Sequence, residues 1–480
     1  MSQSAQEANV ESIAAPKVQA AFDRLEAAYR RDPVPSLRAR LESLRKLKQL
    51  TKDNAEAISE AIRQDFGHRS RHDTALAEIF PIVQLVTYIE KNLKGWMKPE
   101  RRPMPATFLP ASAKIIRQPL GVVGIVSPWN YPYNLTAGPL AYALAAGNRV
   151  FIKPSELTPR TSALMNALFT EAFGPDLVAV VEGGPEVAAA FTRLPFDHLI
   201  FTGSTNVGRH VMRAAAENLT PVTLELGGKS PVIVHESFPV EKAANRIVFG
   251  KLINAGQTCI APDYVLVHES KRDALVDAIA SEIPQRFPSL AANPDYTAIV
   301  NDRHRERVLS LVRDAEQKGA RKIEINPAAE SFDNGAGKMA PVLLLDVRDD
   351  MKVMQEEIFG PVLPIVTYRT LDEAIEYVNA RPRPLALYYF DYDASRADEV
   401  LERTVSGGAV VNDTLLQFAA ETLPFGGVGP SGLGAYHGPE GFDTFSHKKA
   451  VVKQAKLNAA GLLSPPYGER IDKLLKLLMR

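Results

Sequence analysis

From Gly121 onward the chain alternates short β-branched runs with longer stretches of helical spacing, and this alternation restricts the fold more than any other feature. Gly121–Val126 suits a buried strand, and further strand candidates follow at Arg149–Ile152, Val178–Glu182, His198–Phe201, Val222–Glu225 and Val232–Val234. A second block, from about Gly227 to Leu423, carries candidates at Tyr264–Val267, Val342–Leu345, Val362–Val366, Ala386–Phe390 and Ala409–Val411. Strands separated by helices pair in parallel, because a parallel neighbour is reached only through a long crossover. The expected class is therefore α/β, with mostly parallel sheets covered by helices and ligands at the carboxyl ends of the strands.

The flanks read differently. Residues 1 to about 15 form a loose polar lead-in, and Val18 to Phe66 carries helical spacing through Ala21, Phe22, Leu25, Leu41, Leu44, Leu47, Ile58 and Ile62, interrupted by Pro33 and Pro35. Asp73–Trp96 reads as more helix, and Lys98–Pro110, rich in proline and basic residues, as a crossing connection. Ala113–Gln118 suits an exposed strand. Leu423–Gly434 (LPFGGVGPSGLG) is too glycine-rich for regular structure, Ala450–Val452 suits a strand, and Gly468–Arg480 an amphipathic last helix.

A chain of 480 residues is too long for one small core, so two or three domains are expected. Lys plus Arg and Asp plus Glu both total 56, which leaves no net field to recruit nucleic acid or an anionic membrane. No apolar run approaches the ~20 residues of a membrane helix, and the amino terminus lacks the basic-then-apolar pattern of a secretory signal. The single cysteine cannot form an intramolecular disulfide and fits a reducing compartment, so the expected location is the cytoplasm.

That cysteine, Cys259, lies in Asn254-Ala255-Gly256-Gln257-Thr258-Cys259-Ile260-Ala261-Pro262, a polar and glycine-containing setting unlike the apolar run of a packing cysteine. Other stretches at strand ends have chemical and plain readings side by side. Asn130, in Trp129-Asn130-Tyr131-Pro132, either donates its amide to an oxyanion or caps a turn. Lys153 and Glu156 (KPSE) suit a ribose, or Ser155 or Glu156 caps a following helix. Gly203, Ser204, Val207 and Gly208 (GSTNVG) sit where backbone amides cradle a phosphate, though the usual G-x-G-x-x-G is missing. Glu225 (LELGGK) is a general base among leucines or a strand-end acid paired with Lys229. Glu357 and Phe359 (EEIFGP) suit a sugar hydroxyl and a flat ring, or a helix end.

Taken in series, PWNYP, KPSE, GSTNVG, LELGGK, GQTCIAPDY, EEIFGP and PFGGVGPSG resemble the aldehyde dehydrogenase superfamily from about Gly121 to Lys448. GQTCIAPDY, Gly434-Ala435-Tyr436-His437-Gly438 and Phe445-Ser446-His447 resemble its class 3 members, and among these the bacterial coniferyl-aldehyde dehydrogenase branch. The resemblance implies a Rossmann-like cofactor domain (1–105 and 120–226), an α/β catalytic domain (227–424), a small β oligomerisation arm (106–119 and 446–460), a return segment near the active site (425–445) and a tail (461–480). It implies Cys259 as nucleophile, Asn130 as oxyanion donor and Glu225 as the base for hydrolysis. Lys153, Glu156, Gly203, Ser204, Val207, Gly208, Glu357 and Phe359 would hold the cofactor, NAD or NADP with NAD favoured by Glu156; no metal is expected. The reaction implied is oxidation of an aromatic aldehyde such as coniferaldehyde, or of a medium-chain aliphatic one, to the acid. A CoA-acylating or phosphorylating relative and a non-catalytic binding descendant are the alternatives. Tyr131, Tyr133, Phe418 and Tyr436 are candidates for an aromatic substrate tunnel. A homodimer paired through the arm is expected, with no nucleic-acid or membrane partner and the last helix packed on the body.

Overall fold

The helix Asn134–Ala146 (NLTAGPLAYALAA) is apolar on every side and must therefore lie in the interior; all 13 of its residues are buried. It stops at Gly147, whose left-handed φ of 92° ends the helix without a side-chain penalty. Arg40 takes up its orphan carbonyls, donating from Nη1 to Ala145 O at 3.1 Å and Ala146 O at 2.7 Å. The amphipathic helices Leu37–Asp53 and Phe80–Trp96 pack their apolar faces against it.

The computed structural model describes residues 3–332, 337–458 and 464–479. In it the central helix belongs to a layer built on a six-stranded sheet. Its order is Val178–Val180, Arg149–Lys153, Val122–Val126, His198–Thr202, Val222–Glu225 and Gly432–Leu433, the first five parallel. Every residue of Val122–Val126 and Arg149–Lys153 is buried, as expected of strands covered on both faces. The chain leaves Val122–Val126 towards Arg149–Lys153 on one side and lies beside His198–Thr202 on the other. That reversal of direction opens a crevice at the strand ends.

A seven-stranded sheet runs Arg321–Glu324, Val342–Leu345, Val362–Tyr368, Tyr264–His268, Pro231–Val234, Ala386–Phe390 and Gly408–Val411, all parallel except the first. A third sheet joins Glu100–Arg102, Ser112–Pro119 and Ser446–Lys453 in antiparallel register, with Ala450 opposite Ile115. The expected α/β class, with two parallel sheets and a small β arm, is the observed one.

Several local expectations need correction. The polar lead-in is part of a helix, Gln3–Arg31, consistent with its wealth of Ala, Gln and Glu, strong helix formers. Residues 1–2 of it lie outside the described residues, as do residues 459–463 of the expected arm and tail and residue 480. The basic connection contains the strand Glu100–Arg102, and Arg321–Glu324 is an edge strand that its polar sequence concealed. The glycine-rich return segment is not irregular throughout, since Gly432 and Leu433 pair with Glu225 and Leu224. A Cβ on Gly432, at φ 159°, would stand 2.4 Å from Leu224 O, so glycine here serves a close backbone approach. The last helix, Glu469–Leu478, buries none of its residues and leaves Leu475, Leu477 and Leu478 exposed, so it does not pack on the body as expected. No helix among the described residues is long and apolar enough to cross a membrane.

Candidate active site

A cleft of about 1140 Å³ opens at the carboxyl ends of the six-stranded sheet. It gathers Asn130, Lys153, Glu156, Gly203, Ser204, Val207, Glu225, Cys259, Glu357 and Phe359 on its walls. Ten of the eleven residues singled out in the sequence therefore meet in one place. The exception is Gly208, buried in the first turn of the following helix, where a Cβ would lie 2.6 Å from Leu226.

The cysteine loop is built under constraint. Asn254, Ala255 and Gly256 are three consecutive left-handed residues, at φ 51°, 51° and 77°. Gly256 is required twice over, because a Cβ there would also stand 2.5 Å from Gly360 O. Buried side chains hold this shape. Gln257 donates to Asn254 O at 2.9 Å and Ala298 O at 3.0 Å, and accepts from Val300 N at 2.9 Å. Asp73 accepts from Asn254 N at 3.1 Å, and Tyr131 and Thr258 share a hydroxyl hydrogen bond of 2.6 Å beside the cysteine.

Asn130 does not cap a turn. Its Nδ2 donates to Gln257 O at 3.1 Å, spending one of two amide hydrogens two residues from Cys259. Glu225 is not paired with Lys229 either. Lys229 forms an ion pair with Asp263 and donates to Val353 O at 2.7 Å and Glu356 O at 3.0 Å. Glu225 is left buried with no hydrogen-bond partner on either carboxylate oxygen. Burial raises its pKa well above the ordinary carboxylate value. Burial, reinforced by the carboxylates of Glu357 and Glu225, pushes the Cys259 thiol up to about 12. Burial also lifts Glu357 to about 8, and its Oε1 has no partner.

The other wall is looser. Lys153, itself buried, reaches Glu156 Oε2 at 3.1 Å, while the Glu156 side chain remains 44% exposed. Neither Ser155 nor Glu156 caps the next helix, which begins at Pro159. Ser204 does cap Thr205–Ala216, accepting from Val207 N at 3.4 Å, so the first amides of that helix point to the cleft end. The EEIFGP stretch is both a helix end and a cleft wall. Lys352–Gln355 closes there, and Phe359, at φ 54°, sets its ring 5.4 Å from that of Trp129. Of the tunnel candidates, Tyr133 is a core residue, its hydroxyl 2.6 Å from Thr51 Oγ1. Phe418 and Tyr436 pack around His437 at ring distances of 5.1 and 4.5 Å.

Sequence reading missed the supports of this site. Arg307 donates to Glu357 O at 3.0 Å and Ile358 O at 2.6 Å, fixing the Glu357 loop, and His304 stacks edge-on against Trp129 at 4.9 Å. Both sit on an otherwise amphipathic surface helix, Asp302–Gln317, where a charged residue gives no signal of its own.

The donor set fits a dinucleotide. A polar pair at one strand end, a capped helix start at the next and the unpartnered Glu357 oxygen line one continuous cleft. A model of the aldehyde dehydrogenase family matches residues 2–451. Coniferyl aldehyde dehydrogenase of Pseudomonas sp. (strain HR199) is 49% identical over 469 residues, covering 97% of each chain. The substrate-bound structure of Staphylococcus aureus AldH superposes with a TM-score of 0.90 at 40% identity, covering 96% of this chain and 99% of the other. An indole-3-acetaldehyde dehydrogenase of P. syringae, solved with NAD+, does so with a TM-score of 0.84 at 26% identity, covering 92% and 89%. The chain belongs to the aldehyde dehydrogenase family and is an oxidoreductase that uses NAD or NADP to oxidise aldehydes.

Proposed function

We propose that the chain oxidises an aromatic aldehyde of the coniferaldehyde type to its carboxylic acid through a thioester on Cys259. The observation that carries this reading is the pairing, on one cleft, of the only thiol with a buried carboxylate that no other group engages. The Cys259 thiol loses its proton to solvent, the thiolate adds to the aldehyde carbon, and the carbonyl electron pair moves onto oxygen. The free amide hydrogen of Asn130 and the backbone N–H of Cys259 receive that oxyanion. NAD or NADP, when bound, accepts the hydride that the carbon gives up. Glu225 then takes a proton from water, the hydroxide attacks the thioester, and the thiolate leaves with release of the acid. Burial disfavours the ionised form of Glu225 and so makes it a stronger proton acceptor than an exposed carboxylate, which suits this role.

Lys153 and Glu156 would hold the adenosine ribose, the amides from Gly203 to Val207 the pyrophosphate, and Glu357 and Phe359 the nicotinamide half. The Glu156 carboxylate repels a 2′-phosphate, so NAD is the favoured cofactor. The six-stranded layer would serve as the cofactor domain and the seven-stranded layer as the catalytic one. Ser446–Lys453 exposes an eight-residue edge with Val452 uncovered, and an unpaired edge of that length suits a homodimer of a cytoplasmic enzyme.

Initial rates of NADH and NADPH formation with coniferaldehyde, benzaldehyde, hexanal and acetaldehyde, each with and without CoA, test the proposal. The expected result is CoA-independent reduction of NAD with kcat/KM highest for coniferaldehyde. Equal turnover of acetaldehyde and coniferaldehyde would overturn the aromatic preference, and a requirement for CoA would remove Glu225 from its role. Light scattering reads the dimer directly.

A further inference from the structure

Two ionisable side chains lie buried in the helical lead-in, behind the cleft wall. Arg69 and Glu78 each expose none of their side chain, and Arg69 Nη1 lies 3.0 Å from Glu78 Oε1. Taking two charges out of water costs several kcal/mol per ion, and an apolar pair of similar volume often does as well for stability. The pair's other hydrogen bonds converge on one segment. Arg69 Nη1 also donates to Asn130 O at 2.9 Å, and Glu78 Oε2 accepts from Tyr133 N at 3.1 Å and Asn134 N at 2.8 Å. Arg69 Nε and Nη2 have no acceptor. The guanidinium instead lies over the rings of Phe66 and Tyr131, 5.1 and 4.8 Å from their centroids.

The backbone is thus gripped on both sides of Pro132, which has no N–H of its own to offer. The carbonyl of Asn130 is held by Arg69 and by Asn254 Nδ2, the latter at 3.1 Å. Because one nitrogen of Arg69 serves both Glu78 and Asn130, moving either partner moves the other. Asn254 closes the circuit, since its Nδ2 also donates to Gln257 O, the acceptor of the Asn130 side chain.

We infer that Arg69 and Glu78 are positioning residues that fix the Asn130 amide against the Cys259 loop without touching substrate. This rests on the proposed role of Asn130 as oxyanion donor. A misplacement of about 1 Å at such a donor costs on the order of 10²-fold in rate. The same clamp explains why a buried charge pair stands behind a wall that packing alone would close.

The test is a double-mutant cycle in the full-length enzyme with saturating NAD. The readout is the single-turnover rate constant for NADH formation, which partial unfolding does not change because it lowers only the amplitude. Arg69→Met is expected to lower this constant on the order of 10²-fold, with the KM for NAD nearly unchanged. Asn130→Ala alone is expected to lower it on the order of 10²- to 10³-fold. Added to Arg69→Met, it should cost no more than a few-fold further, because the amide is already misplaced. Multiplicative effects would overturn the clamp and leave the oxyanion role standing. An unaffected Asn130→Ala enzyme would overturn the oxyanion role and the clamp with it. Where Arg69→Met does not fold, Glu78→Gln takes its place in the same cycle, with the same two outcomes deciding.

Discussion

The two walls of the cleft are built on different terms. On the cysteine wall, Asn254, Ala255 and Gly256 adopt left-handed backbone, Gln257 has its amide nitrogen and oxygen bonded to backbone, and Asn130 is anchored through one amide hydrogen to Gln257 O. On the wall proposed for the dinucleotide, the side-chain cap of the Gly203–Val207 turn is a single long hydrogen bond, and Glu156 and Val207 stay exposed. The proposed reacting groups are preorganised at a cost in backbone strain, whereas the proposed cofactor wall offers backbone amides and exposed side chains. Substitutions should therefore act mainly on kcat at the first wall and mainly on KM for the cofactor at the second.

The largest effect is expected at Glu225. Glu225→Gln keeps the shape but removes the base, and kcat should fall by about 10²- to 10⁴-fold. Mass spectrometry of the denatured variant after turnover should find the acyl group on Cys259. A variant that is slow but carries no acyl adduct would move Glu225 to an earlier step.

Gly256→Ala probes the strained wall itself. The new Cβ meets Gly360 O at 2.5 Å, and the backbone stands in a region that costs alanine about 1–2 kcal/mol. The loop has to shift, so kcat is expected to drop by on the order of 10²-fold, together with a lower Tm. Normal kcat with a lowered Tm would show that the loop's strain serves stability alone.

The pH dependence of Cys259 sharpens the contrast without a mutation, and the single thiol makes labelling unambiguous. A thiol pushed up to about 12 is protonated at neutral pH. Its thiolate fraction, and hence its iodoacetamide alkylation rate in cofactor-free enzyme, should rise about tenfold per pH unit from pH 7 to 10. A plateau below pH 8 would mean that the thiolate is already stabilised in the resting enzyme.

Much of this arrangement was legible in the sequence, for physical reasons. Val122–Val126 and Ala386–Phe390 are buried on both faces, and continuous β-branched or aromatic runs bounded by polar turns leave little choice. The catalytic candidates were legible as a series rather than singly, since each lies within three residues of a proline that restricts the backbone or a glycine that frees it, such as Pro132 after Asn130 and Gly256 before Cys259. Arg69, Glu78, Asn254 and Arg307 were not, since a charged or amide side chain on a helix or loop has the same local pattern whether it meets water or a buried carbonyl. Lys229 is the instructive case. Four residues after Glu225 in sequence, it turns to Asp263 across the structure, and only the tertiary fold decides that.

The smallest effect is expected on the looser wall. Ser204 accepts from Val207 N at 3.4 Å, a long bond at an exposed helix start, so Ser204→Ala should weaken the turn by at most about 1 kcal/mol. Expressed through cofactor affinity, that is no more than about a fivefold rise in KM for NAD, with kcat and the Cys259 alkylation profile unchanged. The helix keeps its buried face through Val211 and Ala215, so Tm should fall by only a few degrees. Were Ser204→Ala instead to lower kcat strongly at saturating NAD, the two walls would not be separable. The Ser204 turn would then take part in placing the reacting groups, by way of the hydrogen bond from Gly203 N to Glu225 O at 3.0 Å, which ties that turn directly to the backbone of the proposed base.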